Sequence, residues 1–172
     1  MSGRTWVCAD HHFGHANILN FEDAQGNKLR GSRFKSVEEH DEHLIKVHNE
    51  LVSPLDRVYL LGDVCISRRS IHTLGRLAGR LVLVRGNHDI FKLEDYIPYV
   101  DDVRAYVVQK DKDGNKVILS HIPIHPDCLG RFGTNIHGHL HQNKLDDTRY
   151  KCVSLEHTDY KPIQIFEALK LR

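Results

Sequence analysis

Five short apolar runs, each closing on a side chain able to bind a metal, constrain this chain more than any other feature. Asp10 and His12 follow the run 5–9, and Asp63 follows the run 57–61 and Gly62. Asn87, His88 and Asp89 follow the run 81–85 and Gly86. His121 follows the run 116–120, while His137, His139 and His141 close and extend the run 134–137. The runs are mostly β-branched and short, which reads as strands. Ligands of open α/β sheets bind in the crevice beyond the carboxyl ends of the strands. The pattern therefore expects one such crevice with all five segments opening into it. Gly62, Gly86 and Gly138 stand beside these positions, where a sharp turn has to aim a side chain without a Cβ in the way.

The stretches between the runs complete an α/β reading. Ser36 followed by Glu39 has the spacing of a capping box, and Val37, His40, Leu44, Val47 and Leu51 then fall on one helical face. A second helix is expected from Ser67, burying Ile71, Leu74, Leu77 and Ala78, with Gly79 at its end. Residues 103–109, 150–155 and 162–166 read as further strands, and the polar residues 111–115 as a hairpin loop. The order is strand, helix, strand, helix, strand, then hairpin-like strands. That is an α/β fold with at least one mixed sheet. The 172 residues suffice for one domain, read as 1–172, with a core that needs no disulfide staples. Cys8, Cys65, Cys128 and Cys152 form no CxxC pair, and all but Cys128 adjoin apolar runs as buried free thiols do. No apolar stretch reaches the length of a membrane span or a signal peptide, so a cytoplasmic protein is expected.

Charge and histidine content narrow the chemistry. Lys plus Arg number 24 against 23 Asp plus Glu, a net charge of +1, so no field is available to hold long DNA. Histidine, at 14 residues, is the outlier. A mixed set of carboxylate, imidazole and carboxamide donors suits divalent Mn, Fe, Zn or Ni. Two such ions about 3.5–4 Å apart would clamp a phosphoryl group and generate hydroxide.

In order, Asp10-His11-His12, Gly62-Asp63, Gly86-Asn87-His88-Asp89, Ser120-His121 and Gly138-His139-Leu140-His141 resemble the motifs of the calcineurin-like metallophosphoesterases. Those motifs are D-x-H, GD, GNH[DE], a lone His and GHxH; Ser120 stands where many members carry Gly. The short bacterial and phage type is most similar, through Asp10–His15, Arg33-Phe34 and the tail segments Val153-Ser154-Leu155-Glu156 and Tyr160-Lys161-Pro162-Ile163. The resemblance implies a four-layer αββα sandwich, two mixed sheets flanked by helices. It implies one metal on Asp10, His12 and His141, with Asp63 bridging to a second on Asn87, His121 and His139. A hydroxide between the metals would attack phosphorus in line. His88 would serve the leaving group as general acid or transition-state donor, with Asp89 orienting its imidazole. The activity implied is hydrolysis of phosphate esters, a phosphodiester, nucleotide or RNA end being favoured because so short a chain has little room for lids. A phosphomonoesterase or a nucleoside-polyphosphate pyrophosphatase uses the same site. A metal-free scaffold would have lost ligands, and every position is filled here.

Further residues carry weaker expectations. His15 opens an expected helical stretch, 15–21, whose N-terminus favours phosphate. Arg33 is a candidate phosphate clamp, and His125, four residues after His121, a candidate cleft residue. His137 shares a face with His139 and His141 and could compete as a ligand, though a structural role is favoured; His11 alternates away. No membrane contact and no obligatory protein partner is expected.

Overall fold

Alternation along β1 (Thr5–Cys8) sets the layers of the molecule, whose computed structural model describes residues 3–171. Trp6 and Cys8 pack on one side with Leu44 and Ile45 of α1 (Val37–Leu51) and with Ile71 and Leu74 of a 3-10 helix, Arg68–Arg76. Val7 and Ala9 pack on the other side, against Leu119 and Ile136 of a second sheet and Val153 just beyond its last strand. A sheet covered on both faces needs apolar residues at nearly every position, which is why its strands read as unbroken runs.

Three strands join β1 in parallel order: β2 (Arg57–Leu60), β3 (Arg80–Val84) and, after the short α2 (Leu93–Tyr96), β4 (Asp102–Arg104). The second sheet holds β5 (Val107–Lys110), β6 (Lys116–Ser120), β7 (Thr134–His137) and β8 (Tyr150–Cys152) in that spatial order. Its first pair is an antiparallel hairpin and the others are parallel, so this sheet is mixed. The first sheet is mixed as well, because β9 (Ile163–Gln164) pairs antiparallel with β1 and leads into α3 (Ile165–Ala168). The fourth layer is thin: a 3-10 helix, Pro126–Arg131, sets Leu129 against Ile118 and Tyr150. No helix among the described residues is long and apolar enough to cross a membrane.

Five expectations are corrected here. The strand expected at 103–109 is two strands in different sheets: β4 continues the parallel ladder, and Ala105 and Tyr106 carry the chain across to the hairpin of the second sheet. The helix expected from Ser67 is a 3-10 helix. The strand expected at 150–155 ends at Cys152, with a 3-10 turn at Leu155–His157, and that at 162–166 yields to α3 after two residues. At the start of α1, the Ser36 hydroxyl accepts from the Glu39 N–H at 3.1 Å, but the Glu39 carboxylate caps Lys35 N–H, so only half of the expected box forms. Cys8, Cys65 and Cys152 are buried free thiols, and Cys128 is exposed.

Asp56 fastens the end of the first sheet remote from the site. Its carboxylate accepts from the Arg4 N–H at 2.8 Å, the Trp6 indole N–H at 2.9 Å and the Ser53 N–H at 3.0 Å. Burial pushes its pKa up, but these donors outweigh burial and hold it at about 2 against an ordinary 3.8. A depressed folded-state pKa contributes stability that is complete above the unfolded value and is lost as pH falls through the folded one. Asp56→Asn is thus expected to cost about 2–3 kcal/mol near neutrality. That gap should narrow as pH drops from about 4 toward 2. Denaturant unfolding followed on Trp6, the sole tryptophan, measures it.

Candidate metal centre

The strand ends deliver their side chains through strained turns. Seven described non-glycine residues have positive φ, and five of them are Asp10 (62°), His12 (54°), Asp63 (51°), His139 (73°) and His141 (50°). Left-handed backbone costs a non-glycine residue about 1–3 kcal/mol, and such strain clusters at functional sites. Two glycines keep these turns open. A Cβ on Gly86 would stand 2.2 Å from Asp63 Oδ1, and one on Gly138 would stand 2.7 Å from Asp10 Oδ2.

The turns bring together two groups of donors: Asp10, His12 and His141, and Asp63, His121 and His139, each with its donor atoms within 4.8 Å of one another. Asp63 faces both. One of its oxygens lies 3.4 Å from His121 Nε2 and the other 3.9 Å from His12 Nε2. Asn87 joins the second group, its Oδ1 2.9 Å from His121 Nε2.

The arrangement demands positive charge. His121 Nδ1–H donates to the Leu61 carbonyl at 2.8 Å, which leaves Nε2 with its lone pair pointing inward. That lone pair meets Asn87 Oδ1, Asp63 Oδ1 and, at 3.2 Å, His139 Nδ1. Donors about 3 Å apart around one point are what ligands at about 2.1 Å from a cation require. Asp10 Oδ1 and both ring nitrogens of His12 are buried without a hydrogen-bond partner among the described residues. Unpaired polar atoms are costly to bury, and a cation at each group would pair them. The titration of these residues agrees. Burial pulls His121 down, yet Asp63 and Asp10 outweigh it and raise its pKa above the ordinary value, so the two carboxylates favour a positive charge at this nitrogen, a proton or a cation. Burial opposes ionisation of Asp63, but His121, the His88 N–H and His12 lower it to about 2. The residues present therefore fit two divalent cations.

Three residues beyond the expected set hold this centre in place. Arg30 is wholly buried and donates to the Asp10 carbonyl at 2.6 Å, to the His11 carbonyl at 3.0 Å and to Glu156 Oε1 at 2.8 Å. Glu156 Oε1 in turn accepts from His141 Nδ1–H at 3.1 Å, which turns the Nε2 lone pair of His141 toward Asp10 and His12. Burial opposes the Glu156 charge, but Arg30 and His141 hold its pKa far below the ordinary carboxylate value. Ser154 contributes too, its hydroxyl donating to Asp10 Oδ2 at 2.6 Å. Arg30 gave no signal in the sequence beyond its place near Arg33. Ser154 and Glu156 lie in a tail segment already quoted for its resemblance.

The remaining expected residues are placed as follows. His88 is exposed at the mouth, its ring 5.9 Å from that of His12 and its N–H donating to Asp63 Oδ1 at 2.9 Å. Asp89 does not orient the His88 ring. Its oxygens accept from the backbone N–H groups of Gly86, Asp63 and Val64, which ties the two ligand loops together. His15 stands 5.7 Å from His12, ring to ring, but heads only a five-residue 3-10 turn, Ala16–Asn20, too short for the helix expected. Arg33 is not a free clamp, since its guanidinium pairs with Asp159 at 2.6 Å and lies over Tyr160. His125 is exposed and accepts from the Asp127 N–H in its own turn, outside both donor groups. His137 is buried against Tyr150 and also outside both groups, while His11 stacks on Phe13.

The two mixed sheets and the two donor groups at their strand ends are what the resemblance to the calcineurin-like metallophosphoesterases implied. The chain belongs to the same family as the uncharacterized protein MJ1445 of Methanocaldococcus jannaschii, 32% identical over 179 residues, 98% of this chain and 90% of that protein. The gene 66 protein of Mycobacterium phage D29 is 28% identical over 172 residues, 83% of this chain and 81% of that protein. A solved structure, the protein of unknown function AQ665 from Aquifex aeolicus, superposes with a TM-score of 0.75 at 28% identity, covering 96% of this chain and 97% of that one. No family model matches the chain.

Proposed function

We propose that the chain hydrolyses phosphate esters with two divalent cations, phosphodiesters and nucleotide esters being favoured. The observation that carries this reading is the single carboxylate of Asp63 facing both donor groups. Asp10, His12 and His141 would hold one cation, and Asn87, His121 and His139 the other, with Asp63 shared. The donors are nitrogen and oxygen only, a set suited to Mn, Fe, Zn or Ni. Bound there, two such ions neutralise phosphoryl charge and acidify a water molecule.

The protein's own groups do the rest. His88, exposed beside His12, can give a hydrogen bond or a proton to the leaving oxygen. Asp89 and Arg30 fix the loops so that the donors need no rearrangement on binding. The centre is open on two flanks. A cleft of about 420 Å³ adjoins His139 and His141, and another of about 370 Å³ adjoins Asn87 and His121. A phosphorus carrying two substituents uses both flanks; a monoester fills only one. A net charge of +1 provides no field for a long duplex, which favours a small ester or a nucleic-acid end.

The test is a panel on metal-loaded protein comparing bis-p-nitrophenyl phosphate, p-nitrophenyl phosphate, cyclic nucleotides and RNA ends. The diester should exceed the monoester in kcat/KM by at least about tenfold, the effect of one flank's contacts at roughly 1.4 kcal/mol. Monoester preference would reverse the substrate assignment, and inertness toward every ester would overturn the activity.

A further inference from the structure

The two flanks of the centre differ in kind. The cleft beside His139 and His141 has an acidic wall residue, Glu22. The cleft beside Asn87 and His121 has none; its walls include Tyr106, Ile118, Ile122 and Ile124. Tyr106 is 57% exposed and Ile122 is 52% exposed, large apolar surfaces left in water next to ligand positions.

That exposure is built in. Ile122 and Ile124 follow the ligand His121, and the segment is held by side chains of the second sheet. The Ser120 hydroxyl donates to the Ile122 carbonyl at 2.8 Å, and the Tyr150 hydroxyl to the Ile124 carbonyl at 2.7 Å. Asn135, wholly buried, accepts from the Ile124 N–H at 3.0 Å and donates to Ser120 Oγ at 2.9 Å. Across the cleft, Arg85 is spent on the carbonyls of Asp89 and Phe91. A mobile loop could bury an isoleucine; this one is pinned so that it cannot. A rigid apolar wall and an aromatic ring, beside phosphate chemistry and free of acids, make a seat for a flat, weakly polar ring.

Resting on the phosphoesterase reading, we infer that the Tyr106–Ile122 cleft seats the base of a nucleoside carried by the ester, making the substrate a nucleotide ester rather than a small alkyl phosphate. Base–aromatic contact of this kind is tolerant of base identity and is worth roughly 5- to 150-fold in affinity.

Two esters with the same leaving group test it: thymidine 5′-p-nitrophenyl phosphate and methyl p-nitrophenyl phosphate. In the metal-loaded protein the ratio of their kcat/KM values should favour thymidine by roughly 5- to 150-fold. Tyr106→Ala should bring that ratio near one, whereas Phe166→Ala, at another exposed ring, on α3, should preserve it. Calorimetry should show the same preference for thymidine 5′-monophosphate over methyl phosphate, again lost in Tyr106→Ala. A native ratio near one, or a ratio unmoved by Tyr106→Ala, overturns the inference. Inertness toward both esters instead strikes at the phosphoesterase reading, and the calorimetric preference then decides the cleft alone.

Discussion

Arg30→Met is expected to destabilise the protein by about 3–5 kcal/mol, the cost of leaving a buried charge without its partner. Arg30 is wholly buried, and its removal strands Glu156, whose other oxygen already lacks a hydrogen-bond partner among the described residues. The carbonyls of Asp10 and His11 lose a donor in the same step, and these are the residues of the first ligand turn. His40 loses one as well; its Nε2 lies 3.0 Å from the guanidinium, while its Nδ1–H holds Asp41 at 2.8 Å. Asp41 in turn accepts from the Gly14 N–H at 2.8 Å, so the disturbance reaches the far side of the same loop. Denaturant unfolding of metal-free protein measures the loss. The double variant Arg30→Met, Glu156→Leu should recover part of it, because no lone charge remains. Glu156→Gln removes the charge that faces both Arg30 and His141 and should weaken metal binding about 10- to 100-fold. Unchanged stability in Arg30→Met, with unchanged metal affinity in Glu156→Gln, would leave the pair without a positioning role.

Asp63→Asn is expected to carry the largest functional effect. The amide removes the charge shared by the two donor groups and turns an N–H₂ toward lone pairs that already face one another. Both donor groups would lose their shared anion, and the one neutral amide oxygen left is a poorer ligand, so turnover should fall by about 10³-fold or more, beyond the loss of one neutral transition-state donor. Metal titration by calorimetry should show at most one weak site in place of two. Full turnover in this variant would contradict a shared carboxylate.

The strand ends were legible in the sequence because two independent requirements coincide there. A strand buried on both faces must be apolar throughout, so its end is visible where polarity begins, as at Asp10, Asp63 and His121. The residue types beyond those ends are ones that metals bind, and their glycine neighbours mark the turns. What could not be read depends on contacts between distant segments. Arg30 and Glu156 are 126 positions apart, and nothing local distinguishes Arg30 from the exposed Arg33. The crossing at Ala105 and Tyr106 carries no glycine or proline, so a single strand was the natural expectation for two. Asp89 illustrates the remaining difficulty. Its neighbour in sequence is His88, but its oxygens are taken by three backbone N–H groups. The left-handed backbone at five of the candidate donor positions is likewise invisible, since Asp and His adopt it without glycine's signature.

The most direct test of the paired centre is elemental analysis of protein stripped of metal, reloaded with manganese, zinc, iron or nickel and freed of excess. Two ions per chain are expected in the native protein and one or none in Asp63→Asn. A native chain that retains no ion, or only one however it is loaded, would contradict the centre described here.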